Sequence, residues 1–179
     1  MAVNEALWYL GRGTGLMALL LLSVATALGI ATSTGRVLPG LPRFAVTALH
    51  RNAGLTAVVF VIVHIGTLLL DPEAQLRLVD VIVPFVGDYR PFWLGLGTLA
   101  FDLLLAVMIT SLLRQRIGWK VWRIVHWAAY ALWPAGLLHA IGTGTDATQV
   151  WYWIAAALSV ITVGAAFLWR LVPTGGGRA

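Results

Sequence analysis

FAVTALHRNAGLTAVVFVIVHIGTLLL, residues Phe44–Leu70, is the stretch that decides the fold. Its last nineteen residues, Asn52–Leu70, contain no Asp, Glu, Lys or Arg. At ~1.5 Å per residue such a run covers the ~30 Å hydrocarbon core of a bilayer. His64 lies within this run and His50 two residues before it. A histidine inside so apolar a segment is expensive and marks a candidate site.

Four further runs share this character, giving five spans at roughly Trp8–Thr32, Phe44–Leu70, Pro91–Leu113, Lys120–Thr143 and Gln149–Leu171. Composition agrees: 60% of the 179 residues are hydrophobic and 11% charged, against about 25% charged in soluble domains. The expected fold is all-α, a single integral membrane bundle of about five transmembrane helices over residues 1–179. Gly35, Pro39, Gly40 and Pro42 punctuate one gap, and Gly142, Gly144 and Asp146 another. Asp71–Arg90 is the one sizeable segment outside the spans, and its Leu76–Val86 portion is apolar enough to lie in the interface. No internal sequence repeat is evident.

Charge orients the bundle. Arg36, Arg43 and Arg51 surround the first loop; Arg114, Arg116, Lys120 and Arg123 the third; Arg170 and Arg178 the tail. The second loop holds Asp71, Glu73, Asp80 and Asp88 against Arg77 and Arg90, and the fourth holds Asp146. Basic loops face the cytoplasm, so the expected location is the cell membrane, multi-pass, N-terminus outside and C-terminus cytoplasmic. The net charge of +5 reads as membrane-flanking charge rather than a nucleic-acid surface. The start of the chain has no basic region before its first apolar run, which argues against a cleaved signal. Trp8, Trp93, Trp119, Trp122, Trp151, Trp153 and Trp169 fall at span ends and fit an interfacial aromatic belt; Trp127 and Trp133 lie inside the fourth span.

All four histidines fall on two spans: His50 and His64 on the second, His126 and His139 on the fourth. Neutral histidines bonded to neighbouring helices are the plain structural alternative, but four of four in two pairs points to a site. The pairs stand about 21 and 19.5 Å apart along their helices, too far for one metal ion. The two spans run in the same direction, so His50 is level with His126 near the cytoplasmic face and His64 with His139 near the outer face. A bare metal would need further ligands at each level. Cysteine is absent, which also excludes iron–sulfur clusters and covalent c-type haem, and Asp102 is the one fully intramembrane carboxylate. A porphyrin supplies four nitrogens and needs two axial imidazoles, so two bis-histidine haems b are the economical reading. Helical phase conflicts in part: His126 and His139 come out about 140° apart on an ideal helix. Distortion is expected at Pro134, between them.

The motifs HRNAGLTAVVFVIVH and HWAAYALWPAGLLH, with thirteen and twelve residues between their histidines, resemble the di-haem signature of the ferric reductase-like transmembrane family, which includes ferric reductases and NADPH oxidases. The segment TSLLRQRIGWKVWRIVH is similar in character to the family's approach to its second histidine pair, and the likeness spans about Phe44–Thr143. It implies that His50 and His126 bind an inner haem and His64 and His139 an outer one. It also implies electron passage from a cytoplasmic or quinol donor to an extracytoplasmic acceptor, by an oxidoreductase component that needs a separate donor. The family tends to place an aromatic residue between the haem levels; Leu132 stands there, with Trp133 following as a candidate bridge. Complete family members continue into flavin- and nicotinamide-binding domains. Here Pro173–Ala179 follows the last span, and GRGTG at Gly11–Gly15 fronts a span and is no dinucleotide loop. FAD and NAD(P)H are therefore expected through a separate flavin reductase partner, with a quinone as a further candidate cofactor and an extracytoplasmic redox protein as a candidate acceptor.

Arg43, Arg51 and Arg123 are candidate propionate contacts at the inner level, and Arg77 and Arg90 are available outside. Topology-setting charge explains each equally. Asp102 is a candidate proton relay or acceptor for an axial imidazole. Gly54, Gly66 and Gly136 are candidates for close approach of porphyrin or helix. Two other functions remain open: a quinol-linked cytochrome reacting with superoxide or oxygen, and a proton or metal transporter subunit with a histidine relay.

Overall fold

The computed structural model describes residues 2–35, 40–146 and 148–172. Arg36 and Pro39 of the first loop, and Arg178 with the rest of the Pro173–Ala179 tail, lie outside the described residues. The elements are α1 (Ala2–Ser33), α2 (Arg43–Leu70), α3 (Leu78–Ile82), α4 (Pro91–Leu112), α5 (Arg114–Ile117), α6 (Trp119–His126), α7 (Ala129–Thr143) and α8 (Val150–Leu171). Five spans are long and apolar enough to cross a membrane: Val3–Ser33, Arg43–Leu70, Pro91–Leu112, Trp119–Thr143 and Val150–Leu171. The fold is an all-α membrane bundle.

Local chemistry sets the ends. Pro42 enters α2 in an extended conformation, and Pro91 occupies the first turn of α4, where its missing N–H leaves no gap. Gly118, at φ 80°, reverses the chain between α5 and α6, a conformation that glycine adopts without strain. The Leu76–Val86 segment contains α3. Asp80 is buried there, caps the main-chain N–H of Arg77 (3.0 Å) and holds its guanidinium. Thr98 of α4 donates to the Asp80 carbonyl at 2.5 Å, so α3 folds over α4 while Leu78 and Ile82 stay exposed. That is the placement of a segment lying at a bilayer surface.

α1 is the spine: it packs against α2, α7 and α8, while α4 packs against α6 and α7. Small buried residues (Ala18, Ser23 and Ala25 on α1; Ala155, Ala156 and Ser159 on α8) let these backbones approach closely. Val58 of α2, Leu104 of α4 and Leu132 of α7 form a buried apolar plug between the two histidine levels. One end of the bundle is basic, with Arg43, Arg51, Arg114, Arg116, Lys120, Arg123 and Arg170; the other carries Asp71, Glu73, Asp80, Asp88 and Asp146. At the acidic end Arg12 closes onto Asp146, its Nε donating at 2.7 Å.

The fourth span is not one regular helix. It breaks at Trp127–Ala128, where Ala128, Tyr130 and Ala131 donate to the carbonyls three residues back, at 2.9 to 3.0 Å. The distortion thus begins on the N-terminal side of Pro134. Proline has no N–H to offer Tyr130, and its ring crowds that carbonyl, so the turn before it tightens. A 3₁₀ turn rotates ~120° and rises ~2.0 Å per residue, against ~100° and ~1.5 Å in an α-helix. About five residues wound that way add ~100° and ~2.5 Å, which restores both phase and level to a thirteen-residue pair. The pair then matches the fourteen-residue pair on α2.

Candidate haem-ligand site

The four histidines meet across the α2–α6/α7 gap in two pairs. The rings of His50 and His126 have centroids 6.1 Å apart with planes at 75°; those of His64 and His139 are 6.5 Å apart at 80°. Imidazoles on opposite sides of one metal, each with a nitrogen ~2.0–2.1 Å from it, would have centroids about 6.4 Å apart. Both pairs fit that spacing. Among the described residues no three His, Cys, Asp or Glu side chains gather as a metal-binding group, so an ion at either level would depend on non-protein ligands. A porphyrin fits this donor set.

The imidazoles are held by a repeated device. His64 Nδ1 donates to the carbonyl of Gly11 at 2.7 Å, His50 Nδ1 to Ala25 at 2.8 Å and His139 Nδ1 to Trp93 at 2.9 Å. In each case a glycine stands four residues after the accepting carbonyl, and the ring lies over it. A Cβ at Gly15 would sit 2.8 Å from the His64 ring, one at Gly29 3.1 Å from His50, and one at Gly97 2.5 Å from His139. The missing side chain is what lets the ring reach the main chain. With the proton on Nδ1, Nε2 keeps its lone pair for the facing histidine's side, the arrangement a metal-ligating imidazole needs.

A Cβ at Gly54, Gly66 or Gly136 would meet no protein atom within 4 Å, so none of the three is required for helix contact. The glycines that the histidine rings lie over are on the supporting helices. One signal was available: Gly15 and Gly29 have the fourteen-residue spacing of His64 and His50. GRGTG, worthless as a nucleotide loop, supplies both the carbonyl and the glycine that position His64. The partners of the His50, His64 and His139 imidazoles are main-chain carbonyls, so Asp102, half-buried on α4, is not the acceptor for these three.

The remaining candidates separate. Arg43 donates to the Gly35 carbonyl at 2.7 Å, while Arg51 and Arg123 are exposed at the basic end beside His50 and His126. At the acidic end Arg90 donates to the Gly142 carbonyl at 2.6 Å and Arg77 bonds Asp80. Outside the spans, that bond holds the Asp80 carboxyl below its ordinary range and Arg77 above its own. Trp133 donates to Ser23 at 2.8 Å and packs with Leu19, Leu137 and Ala156, so its indole faces α1 and α8. Leu132 takes the buried place between the two histidine levels.

A family model, ferric reductase like transmembrane component, matches residues 14–137. The match takes in His50, His64 and His126 with the glycines Gly15, Gly29 and Gly97, and ends two residues before His139. No curated protein and no solved structure matches the chain. The matched stretch covers more than two-thirds of the sequence, and the chain belongs to the ferric reductase-like transmembrane family.

Proposed function

We propose that this membrane protein carries two haems b, one bound by His50 and His126 and the other by His64 and His139, and that it passes electrons from one face of the bilayer to the other. Family membership supports the transmembrane electron-transfer role. The observation that carries the finer reading is the pair of cross-helix imidazole separations, 6.1 and 6.5 Å, at two levels. Haem bound there would supply one-electron redox chemistry. The chain's own part is to orient the four imidazoles, fix their tautomers and keep the middle of the bundle apolar.

By the positive-inside rule the basic end faces the cytoplasm, in the cell membrane, and His50 and His126 form the inner level. Arg51 and Arg123 are the propionate partners this orientation favours, with Arg43 shared with the first loop. The donor we propose is a separate flavin reductase or a quinol, since ferric reductase-like domains commonly work with separate redox partners. With His64 and His139 holding the outer haem, an acceptor on the far side would take electrons at the haem edge rather than bind the iron. The apolar plug of Val58, Leu104 and Leu132 counts against a proton or metal relay, which would need polar groups joining the two levels.

Haem content by pyridine haemochrome, with reduced-minus-oxidised spectra, tests this on detergent-purified wild type and His64→Ala. Two haems b in the wild type and one in the variant are expected. A protein without haem from haem-replete cells would sink the reading and leave the histidine relay as the one to pursue.

A further inference from the structure

The four ligand positions are not built alike. Three imidazoles are tethered to a carbonyl across a glycine. His126 is not: its Nδ1 is buried and has no hydrogen-bond partner. The reason can be read from the register. On α1 the carbonyl–glycine pairs are Gly11–Gly15 and Ala25–Gly29, fourteen residues apart; on α4 the first pair is Trp93–Gly97. Fourteen residues further along α4 come Val107 and Ser111. Where the device calls for a second glycine, the chain has a serine.

That serine is engaged. Ser111 Oγ donates to the Val107 carbonyl at 2.6 Å, the atom that register would assign to His126. The same hydroxyl accepts from the indole N–H of Trp122 at 3.1 Å. Trp122, one turn before His126, stacks on its imidazole with centroids 4.8 Å apart and planes 28° apart. His50 stands 6.1 Å from the same ring, its plane at 75° to it. Arg114 lies over Trp122, 5.4 Å from its centroid, and Trp119 packs on it at 4.7 Å.

We infer that Trp122, anchored by Ser111, is the positioning residue that holds His126 in its ligating orientation, in place of the main-chain bond that holds the other three histidines. A ring face restrains tilt but leaves the imidazole free to slide in its own plane, so His126 is the ligand whose hold depends on one side chain. The inference rests on the di-haem reading above.

The test is the coordination state of the reduced haems, read by carbon monoxide binding in the full-length protein. In wild type both haems should be six-coordinate and neither should bind carbon monoxide. Trp122→Leu should convert about half of the haem, one of two, to a carbon-monoxide-binding form, and Trp122→Phe, which keeps a ring to stack but loses the N–H that Ser111 anchors, should convert a smaller fraction. Ser111→Ala, which removes the anchor and keeps the indole, should give a smaller fraction of the same form. It decides the matter if Trp122→Leu fails to assemble. His126→Ala marks the spectrum of the affected level. Two haems in wild type with no carbon monoxide binding in Trp122→Leu or Ser111→Ala would overturn the inference and leave the di-haem reading standing. A wild type without haem would overturn both.

Discussion

Gly15→Ala is the sharpest test of the carbonyl–glycine device, because Gly13, two residues earlier in the same motif, provides its control. The alanine Cβ would lie 2.8 Å from both Nδ1 and Cε1 of His64, whereas ordinary contact begins at 3.4 Å. The ring must therefore retreat by at least about 0.6 Å, taking its 2.7 Å bond to the Gly11 carbonyl to about 3.3 Å or beyond, the edge of hydrogen bonding. Losing such a support typically costs a metal site about 10–100-fold in affinity, or ~1.4–2.7 kcal/mol. Helix propensity acts the other way, since alanine favours a helix interior over glycine by ~1 kcal/mol. The protein should thus stay as stable while one of its two haems is released about 10–100-fold more readily to a soluble haem scavenger. Gly13→Ala, whose Cβ meets nothing within 4 Å, should gain the propensity and keep both haems. A readout independent of haem is the ¹⁵N spectrum of His64, which should show a fixed Nδ1–H tautomer in wild type and exchange in Gly15→Ala. Equal haem retention in the two variants, with an unchanged His64 tautomer, would refute the device.

The other predictions concern the fourth span and the loop at the acidic end. Pro134→Ala should relieve an interior proline that costs a helix ~3 kcal/mol, raising thermal stability. The same change should lower haem content toward one per chain, because relaxed α-helical winding swings His139 out of phase with His126; two haems after the change would show that the 3₁₀ turn has another cause. Trp133→Leu should remove the bond to Ser23 and lower thermal stability while leaving electron transfer between the haems near the wild-type rate, because Leu132 and not Trp133 lies between the histidine levels; a slowed transfer after photoreduction would restore Trp133 as a bridge. Asp80 is held below its ordinary carboxylate range by Arg77, so its contribution is complete above about pH 4 and is lost as pH falls through the lowered value. Amide protection factors over residues 77–88, taken relative to the intrinsic exchange rate at each pH, should accordingly fall in acid in wild type, and be low without that acid dependence in Asp80→Asn.

What the sequence made legible depends on what kind of atom carries the information. Spans follow from apolar runs, and α1, α2, α4 and α8 match them within a few residues, α1 reaching further toward the start than expected. The four histidines and their pairing were equally open, because a polar side chain on an apolar run stands out. The phase conflict between His126 and His139 was also visible, and with it the role of Pro134. The place of the distortion was not, because it depends on which main-chain bonds the helix gives up around Tyr130.

The support of the histidines was hidden for a deeper reason. Its donors are the histidines themselves, its acceptors are main-chain carbonyls that every residue has, and its specificity lies in side chains that are absent, at Gly15, Gly29 and Gly97. No residue type announces it. Only the spacing does, and spacing becomes meaningful once α1 is known to lie along α2, and α4 along α6 and α7. Each half is then the same object: a supporting helix with a carbonyl and a small residue four apart, repeated after fourteen, beside a helix with two histidines. A sequence repeat is not apparent because the second half meets the requirement differently, with thirteen residues made to span fourteen by a tightened turn, and with Ser111 and Trp122 where the fourth carbonyl and glycine would be. Two levels built from matched halves need not be equivalent, and the departures from the repeat concentrate on α6–α7 and His126. If the halves differ in function, the level of His50 and His126 is where the physical difference is found: one histidine tethered to the main chain, the other resting on an indole.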